Sequence, residues 1–307
     1  MANEWKNKLY YGDNLEWLRN HDVFPNESVD LIYLDPPFNS KADYNVIFTE
    51  PGGEKKSQAQ IRAFDDTWHW EKEASVDAIE HLTKSRPDIR ELVEWLGQRG
   101  DKKSTSTAAY LSMMAVRLIE LHRVLKPTGS LYLHCDPTAS HYLKVLMDCR
   151  FGTENFRSEL VWERFSGHGN VYKSFGRIHD TLLAFSKGNE LRWNQQYIPL
   201  SDSYVKAFFT HIEPQTGRRY RLQNVFNPNK NRPNLTYEWK GHIRVWKWTK
   251  EKMQQLDAAG LLEYSKTGLI KGIKQYLDES KGEKLPDVWH DIKPIGQTAD
   301  TKLVSCL

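Results

Sequence analysis

The residues best suited to chemistry form the sequence Asp35-Pro36-Pro37-Phe38, directly after the apolar run from Val29 to Leu34. An apolar run of this length is typical of a strand that is buried on both faces of a parallel sheet. Ligands of open α/β sheets bind outside the carboxyl ends of the strands. The pattern therefore predicts a site at the sheet edge that combines a carboxylate, a carbonyl in a proline-stiffened turn and an aromatic ring.

This combination suits methylation of an exocyclic amino group on a nucleobase, whose nitrogen is a poor nucleophile because its lone pair is delocalised into the ring. Asp35 and the carbonyl of Pro36 can accept the two amino hydrogens and redirect the lone pair towards an electrophilic methyl group. Phe38 can stack on the base, which must be flipped out of a duplex to reach the site. On these four residues alone, a plainer interpretation stays open, in which Asp-Pro-Pro only stiffens a turn after a strand.

The segments around this turn alternate between strand and helix patterns. Alternation of this kind predicts a doubly wound α/β sheet. The predicted elements are a strand at 8–11, a helix at 15–19, a buried helical stripe at 111–125, and strands at 130–135, 158–163 and 180–186. We predict a catalytic region at residues 1–190, a β-rich recognition subdomain at residues 191–286 and a short tail at residues 287–307.

A basic stretch from Glu213 to Lys250 carries nine basic and two acidic residues, although the whole chain has a net charge of only +3. Cations neutralise phosphates, arginines read base edges, and rings such as Trp246 stack on unpaired bases, so the mixture suits nucleic acid. The alternative is a solvated face on a subdomain whose aromatic residues form the core. The predicted DNA contacts are Asn39, Arg218, Arg219, Arg221, Lys230, Arg232, Lys240 and Arg244.

Composition excludes several other classes of protein. The chain is 39% hydrophobic and 12% aromatic, which indicates a globular protein rather than a disordered one. Its three cysteines are too scattered for a disulfide framework. Because side chains alternate along a strand, His134 and Cys135 lie on opposite faces, so we predict no metal site. No apolar run is long enough to span a bilayer, and we expect a cytoplasmic protein that does not bind membranes.

Several segments together resemble the DNA amino-methyltransferases of the permuted β class; they are residues 11–15, 31–40, 129–137 and 179–187. The resemblance implies a Rossmann-like methyltransferase sheet, S-adenosylmethionine as cofactor and double-stranded DNA as substrate. It also implies a catalytic role for Asp35, Pro36, Pro37 and Phe38, with Asp13 near the adenosine portion of the cofactor and Asp35 near its sulfonium. Aspartate at the start of the motif implies adenine N6 as the target, and cytosine N4 is the near alternative.

The same resemblance extends to the basic stretch, which is similar to the target-recognition region of relatives from restriction-modification or phage systems. A restriction subunit and a homodimer are partners compatible with that family. In the family, a Gly-rich turn that binds S-adenosylmethionine follows the recognition region, and the chain ends at Leu307 without it. Residues 165–169 contain two glycines in a similar spacing, but no helical apolar stripe follows them, so we do not assign them as this turn. We therefore expect a truncated methyltransferase with a sheet that is incomplete at the C-terminus, and the alternative is a non-catalytic DNA-binding remnant.

Overall fold

A computed structural model of the chain describes residues 7–36, 43–46, 61–65, 78, 80–82, 84–100, 102–164 and 175–292. The chain divides into two compact units, residues 1–193 with 286–307 and residues 194–285. These boundaries lie near those predicted at 190 and 286, and the roles predicted for the segments stay predictions. Each unit is described by itself.

The regular elements are numbered in chain order. The helices are α1 (Asn14–Arg19), α2 (Pro87–Gly97), α3 (Lys102–Val124), α4 (Ser140–Phe151), α5 (Asp202–Phe208) and α6 (Lys250–Ala258). The strands are β1 (Val29–Leu34), β2 (Asp43–Val46), β3 (Ile61–Asp65), β4 (Leu125–Cys135), β5 (Phe156–Glu163), β6 (His179–Ser186), β7 (Tyr197–Ile198), β8 (His211–Ile212), β9 (Arg219–Gln223), β10 (Thr236–Trp239), β11 (His242–Val245), β12 (Leu262–Tyr264), β13 (Ile270–Tyr276), β14 (Glu283–Lys284) and β15 (Val288–Trp289). None of the helices in the described ranges is both long and apolar enough to cross a bilayer.

The first unit is built on a sheet with the strand order β1-β4-β6-β5-β15. Strand β1 runs parallel to β4, and β15 runs parallel to β5. Strand β6 lies between β4 and β5 and is antiparallel to both. Because Leu34 pairs with Leu133, the residue that follows β1 lies beside the carboxyl end of β4.

This sheet is mixed, so the doubly wound arrangement expected from the alternation is only partly observed. Strand β1 was expected to be buried on both faces, and this is wrong, because Leu31 is 60% exposed and Tyr33 is 54% exposed. Among the described residues, the strand that pairs with β1 is β4. The strand predicted at residues 8–11 is also wrong, since these residues are not in a strand and the carbonyl of Tyr11 instead accepts a hydrogen bond from Trp17 Nε1 at 2.9 Å.

Helix α3 supplies much of the core of the first unit. The predicted apolar stripe is confirmed, since Leu111, Met114, Ala115 and Leu118 are buried in one cluster with residues of α2, α4 and the sheet. The helix ends at Val124 and β4 begins at the next residue, five positions before the predicted start. Within this early part of β4, a Cβ on Gly129 would lie 3.0 Å from the carbonyl oxygen of Asp30, so glycine permits the close approach to β1.

The second unit consists mainly of β-strands. Its four-stranded antiparallel sheet has the order β12-β13-β9-β8, and β10 pairs with β11 as a hairpin. The hairpin turn consists of Lys240 and Gly241, with φ angles of 45° and 82°, as in the two-residue turns that match the twist of a β-ribbon. The core of the second unit contains Trp239, Trp246 and Met253, and Trp246 is fully buried.

Candidate active site

The predicted acid lies where the sequence analysis places it, immediately after the last residue of β1. The side chain of Asp35 is 39% exposed, and Pro36 is buried. The strand stops here because Pro36 has no backbone N–H to continue the ladder. Pro37, Phe38 and Asn39 lie outside the described residues, so their predicted roles stay predictions.

A histidine that the sequence analysis does not select lies beside this acid. His134, near the end of β4, has its Nδ1 3.0 Å from Asp35 Oδ1 and its Nε2 3.0 Å from Asp180 Oδ2. Arg164, which follows β5, forms an ion pair with the same Asp180 oxygen, with its Nε at 3.0 Å. The four side chains thus cross the sheet in the order of its strands, from β1 through β4 and β6 to the end of β5.

The electrostatics of this row favour a charged histidine. The side chain of His134 is 9% exposed and that of Asp180 is fully buried. Burial alone would lower the pKa of His134, but the hydrogen bonds to Asp180 and Asp35 outweigh it and raise this pKa to about 9. Burial, together with the carboxylates of Asp35 and Asp180, also raises the pKa of Tyr33.

Among the described residues, this edge of the sheet carries neither a reactive cysteine nor a metal site. Cys135 is fully buried, and its Sγ lies 3.6 Å from the carbonyl oxygen of Thr181. Burial raises the pKa of its thiol, so at neutral pH it is not the thiolate that acts as a nucleophile or metal ligand. Within the part of the chain that the structure describes, no cluster of histidine, cysteine and acidic residues has the form of a metal site.

Asp13, the predicted contact for the adenosine portion of the cofactor, begins helix α1. Its Oδ1 accepts a hydrogen bond from the backbone N–H of Leu15 at 2.8 Å, as an N-cap residue does. Arg117 of α3 donates from Nη2 to both of its carboxylate oxygens, at 2.7 and 2.8 Å. These bonds join α1 to α3, and the side chain is still 48% exposed. A role of Asp13 towards a cofactor stays a prediction.

The structure divides the seven cations predicted to contact DNA into two groups. Three are engaged with neighbouring side chains: Arg218 pairs with Asp278 and Glu279, Arg221 donates to Gln275, and Lys240 pairs with Asp257. The others are exposed, and the structure describes no ion pair for them; they are Arg219, Lys230, Arg232 and Arg244. The prediction that Trp246 stacks on a base is wrong, because this ring is fully buried.

Two of the exposed cations, Lys230 and Arg244, line a cleft of about 560 Å³ in the second unit. Phe226, Asn227 and Ile243 also line it, and the side chain of Ile243 is 69% exposed. Positive charge beside an amide and an apolar surface is the chemistry that binds phosphates and nucleobases.

The fold and the site together define a mixed α/β domain that presents an acid, hydrogen-bonded to an imidazole, at the carboxyl end of a parallel strand. The N6/N4 methylase family model, described as DNA methylase, matches residues 29–302. The chain therefore belongs to the N6/N4 DNA methylase family.

Two curated relatives illustrate the similarity. The chain is 30% identical over 193 residues to the Type II methyltransferase M.EcaI of Enterobacter cloacae, a match that covers 61% of this chain and 41% of that protein. It is 25% identical over 296 residues to the StyLTI Mod subunit, a Type III restriction-modification enzyme of Salmonella typhimurium, which covers 93% of this chain and 41% of that protein. The chain thus spans about two fifths of the length of these two relatives. Among solved structures, the cytosine-N4-specific PvuII DNA methyltransferase matches with a TM-score of 0.31 and 18% identity over 61% of this chain and 50% of that one.

Proposed function

We propose that the chain carries the catalytic acid and the recognition unit of a site-specific DNA methyltransferase, which transfers a methyl group from S-adenosylmethionine to N6 of a flipped-out adenine. The observation that supports this most directly is the carboxylate of Asp35. It lies at the carboxyl end of β1, where α/β sheets bind ligands, and it is partly exposed. One of its oxygens contacts His134, and the described residues give no hydrogen bond to the other.

Asp35 acts on the amino group of the base. Its free oxygen accepts one amino hydrogen, and the carbonyl of Pro36 accepts the second, so the lone pair of the nitrogen turns out of the ring plane. S-adenosylmethionine, when bound, would supply a methyl carbon attached to a positively charged sulfur, and the carbon–sulfur bond would break as that carbon joins the nitrogen. The nitrogen would then lose one proton. Asp35 receives this proton and, being partly exposed, passes it to water.

The residues present fit this cofactor at one point. A partly exposed carboxylate next to a positive sulfur is a favourable pairing, and Asp35 offers such a carboxylate at the ligand-binding edge. Asp13 would approach the adenosine portion with the exposed part of a side chain that also holds Arg117.

The second unit would bind the DNA around the target base. Its exposed cations and the cleft lined by Lys230 and Arg244 support this proposal, since exposed cations neutralise phosphates whereas Arg218 is already neutralised by two acids. By likeness to a Mod subunit, a restriction subunit is a proposed partner.

Transfer of labelled methyl groups to mixed-sequence DNA tests the reaction. We expect N6-methyladenine after nucleoside digestion, and we expect Asp35→Ala to abolish it while DNA affinity is unchanged. Asp30→Asn is the matched control, because Asp30 is an exposed acid on the same strand that pairs with Lys126. N4-methylcytosine as the product would refute the adenine assignment. DNA binding without any transfer would indicate a non-catalytic DNA-binding protein.

A further inference from the structure

A row of alternating charges crosses the sheet beneath the proposed catalytic acid. Asp35, His134, Asp180 and Arg164 follow one another with contacts of 3.0 Å at each step. The row begins at an acid that is 39% exposed, passes through the fully buried Asp180 and ends at Arg164, which is 33% exposed. The methyl-transfer chemistry as proposed above uses only the first of these four side chains.

The geometry favours protons on both nitrogens of His134. Each ring nitrogen faces a carboxylate oxygen at 3.0 Å, and a neutral imidazole donates from one nitrogen only. In the neutral ring, the second nitrogen would direct its lone pair at a carboxylate. The imidazolium form donates to both acids and has neither conflict.

The buried end of the row adds a second reason. Asp180 Oδ1 has no hydrogen-bond partner among the described residues, so the carboxylate depends on the cations near its other oxygen. A fully buried carboxylate is stable only when paired with positive charge. Arg164 supplies one charge and His134 supplies the second, which leaves the row of two acids and two bases neutral as a whole.

We propose that His134, held as an imidazolium by Asp180, is a positioning residue for methyl transfer: it fixes one oxygen of Asp35 and leaves the other to accept the amino hydrogen of the base. This inference rests on the proposed function. The consequence is a carboxylate that is pre-oriented before the base arrives, so that the reaction does not require it to be ordered at that moment.

Other titratable groups face His134 or its partners from each of the four neighbouring strands. From β1, Tyr33 has a raised pKa, and from β4, Cys135 has a raised pKa because it is buried. Asp180 faces His134 from β6, and the guanidinium of Arg164 faces the same acid from the end of β5. The pKa of His134, raised to about 9, places the loss of its charge in the mildly alkaline range.

The direct test is an NMR titration of the histidine side chains in the full chain, with the His134 signals assigned by their loss in His134→Gln. We expect the His134 imidazole to titrate near 9 and both ring nitrogens to carry protons at pH 7. A His134 signal that titrates at or below the ordinary value of 6.5 overturns the proposal without any activity measurement.

The functional test is the pH profile of methyl transfer by wild type, Asp180→Asn and His134→Gln. Wild type should keep kcat up to the His134 pKa and lose it above, because the imidazolium is then deprotonated. In Asp180→Asn the loss of kcat should begin near the ordinary histidine pKa. At pH 8.5 the kcat of this variant should be about tenfold or more below that of wild type, and at pH 6 it should return to the wild-type value, with KM for DNA unchanged at both pH values. His134→Gln should have low kcat at every pH and no such recovery.

The outcomes separate this inference from the proposed function. His141→Gln is the matched control, since this histidine is exposed on helix α4, and its profile should equal that of wild type. An active wild type whose profile is unchanged in Asp180→Asn refutes the positioning role alone. A wild type that binds S-adenosylmethionine but transfers no methyl group refutes the proposed function, and the positioning role falls with it; without such binding, the NMR titration decides the charge of His134. If Asp180→Asn does not fold, the wild-type titration and His134→Gln decide the matter.

Discussion

Raising the pH from 6.5 to 9.5 should destabilise the protein through His134. A histidine whose pKa is raised on folding stabilises the native state fully below its unfolded pKa, and this stabilisation is lost as the pH rises through the folded pKa. The window therefore begins at the ordinary value of 6.5 and extends through about 9. At about 1.4 kcal/mol per pKa unit, the full shift corresponds to roughly 3 kcal/mol. Because Asp35 is partly exposed and its bond is screened by water, we expect about 2 kcal/mol.

Urea unfolding at a series of pH values, followed by far-ultraviolet circular dichroism, measures this loss. Wild type should become less stable across the window, whereas His134→Gln should show little change there. His141→Gln should retain the wild-type slope, since that histidine is exposed. A free energy of unfolding that is constant or rising between pH 6.5 and 9.5 in wild type refutes the charged bridge. Equal slopes in wild type and His134→Gln assign the effect to other groups.

Two further perturbations test separate parts of the molecule. Burial and nearby cations lower the pKa of His122 to about 4, so the unfolded state binds a proton at this residue before the folded state does. Lowering the pH from 6.5 to 4 should therefore destabilise wild type more than His122→Gln in urea unfolding. An equal loss of stability in the two proteins over this pH range would contradict the prediction. The double variant Lys230→Ala with Arg244→Ala should weaken DNA binding about tenfold and reduce the salt dependence of log Kd by about two units, measured by fluorescence anisotropy. Lys281→Ala, which removes an exposed cation outside the cleft, is its control, and equal losses in both proteins would indicate non-specific attraction.

The position of the acid could be predicted from the sequence because its determinants are local. The apolar run of β1 and the proline that ends it are contiguous, so Asp35 had to follow the last residue of a strand. The number and direction of neighbouring strands are not local properties. The sequence of β6 is another buried apolar run, and this pattern does not indicate that the strand is antiparallel to β4 and β5.

The partners of the acid could not be predicted for the same reason. His134 and Asp180 are 46 positions apart in sequence, and only the pairing of β4 with β6 brings them together. Strand alternation separated His134 from Cys135 and led us to predict no metal site, and it gave His134 no role at the sheet edge. A signal was present, because a histidine at the end of one buried strand and an aspartate at the start of another can meet at one edge of a sheet.

Charge counting in the basic stretch failed in a related way. Arg218 counted as a free cation, yet it donates to Asp278, which lies 60 positions further on, and its guanidinium lies 3.8 Å from the ring centre of Tyr276. The aromatic residues were divided between two interpretations, and for Trp239 and Trp246 the core interpretation is correct. A local excess of charge thus overestimates the free charge wherever the neutralising acids come from a distant strand or turn.

The two acids of the charged row differ in a way that suits a positioning device. At the buried acid, loss of the contact between His134 and Asp180 would deprive a carboxylate that lies away from water of one of its two cations, which is costly, so this contact persists. At the exposed end, water can replace a lost partner of Asp35, so its hydrogen bonds exchange at little cost. Among the described residues, no donor contacts the second oxygen of Asp35, so an arriving amino group would displace water there. The charge of His134 is set from the interior, and the substrate meets the end of the row where rearrangement is inexpensive.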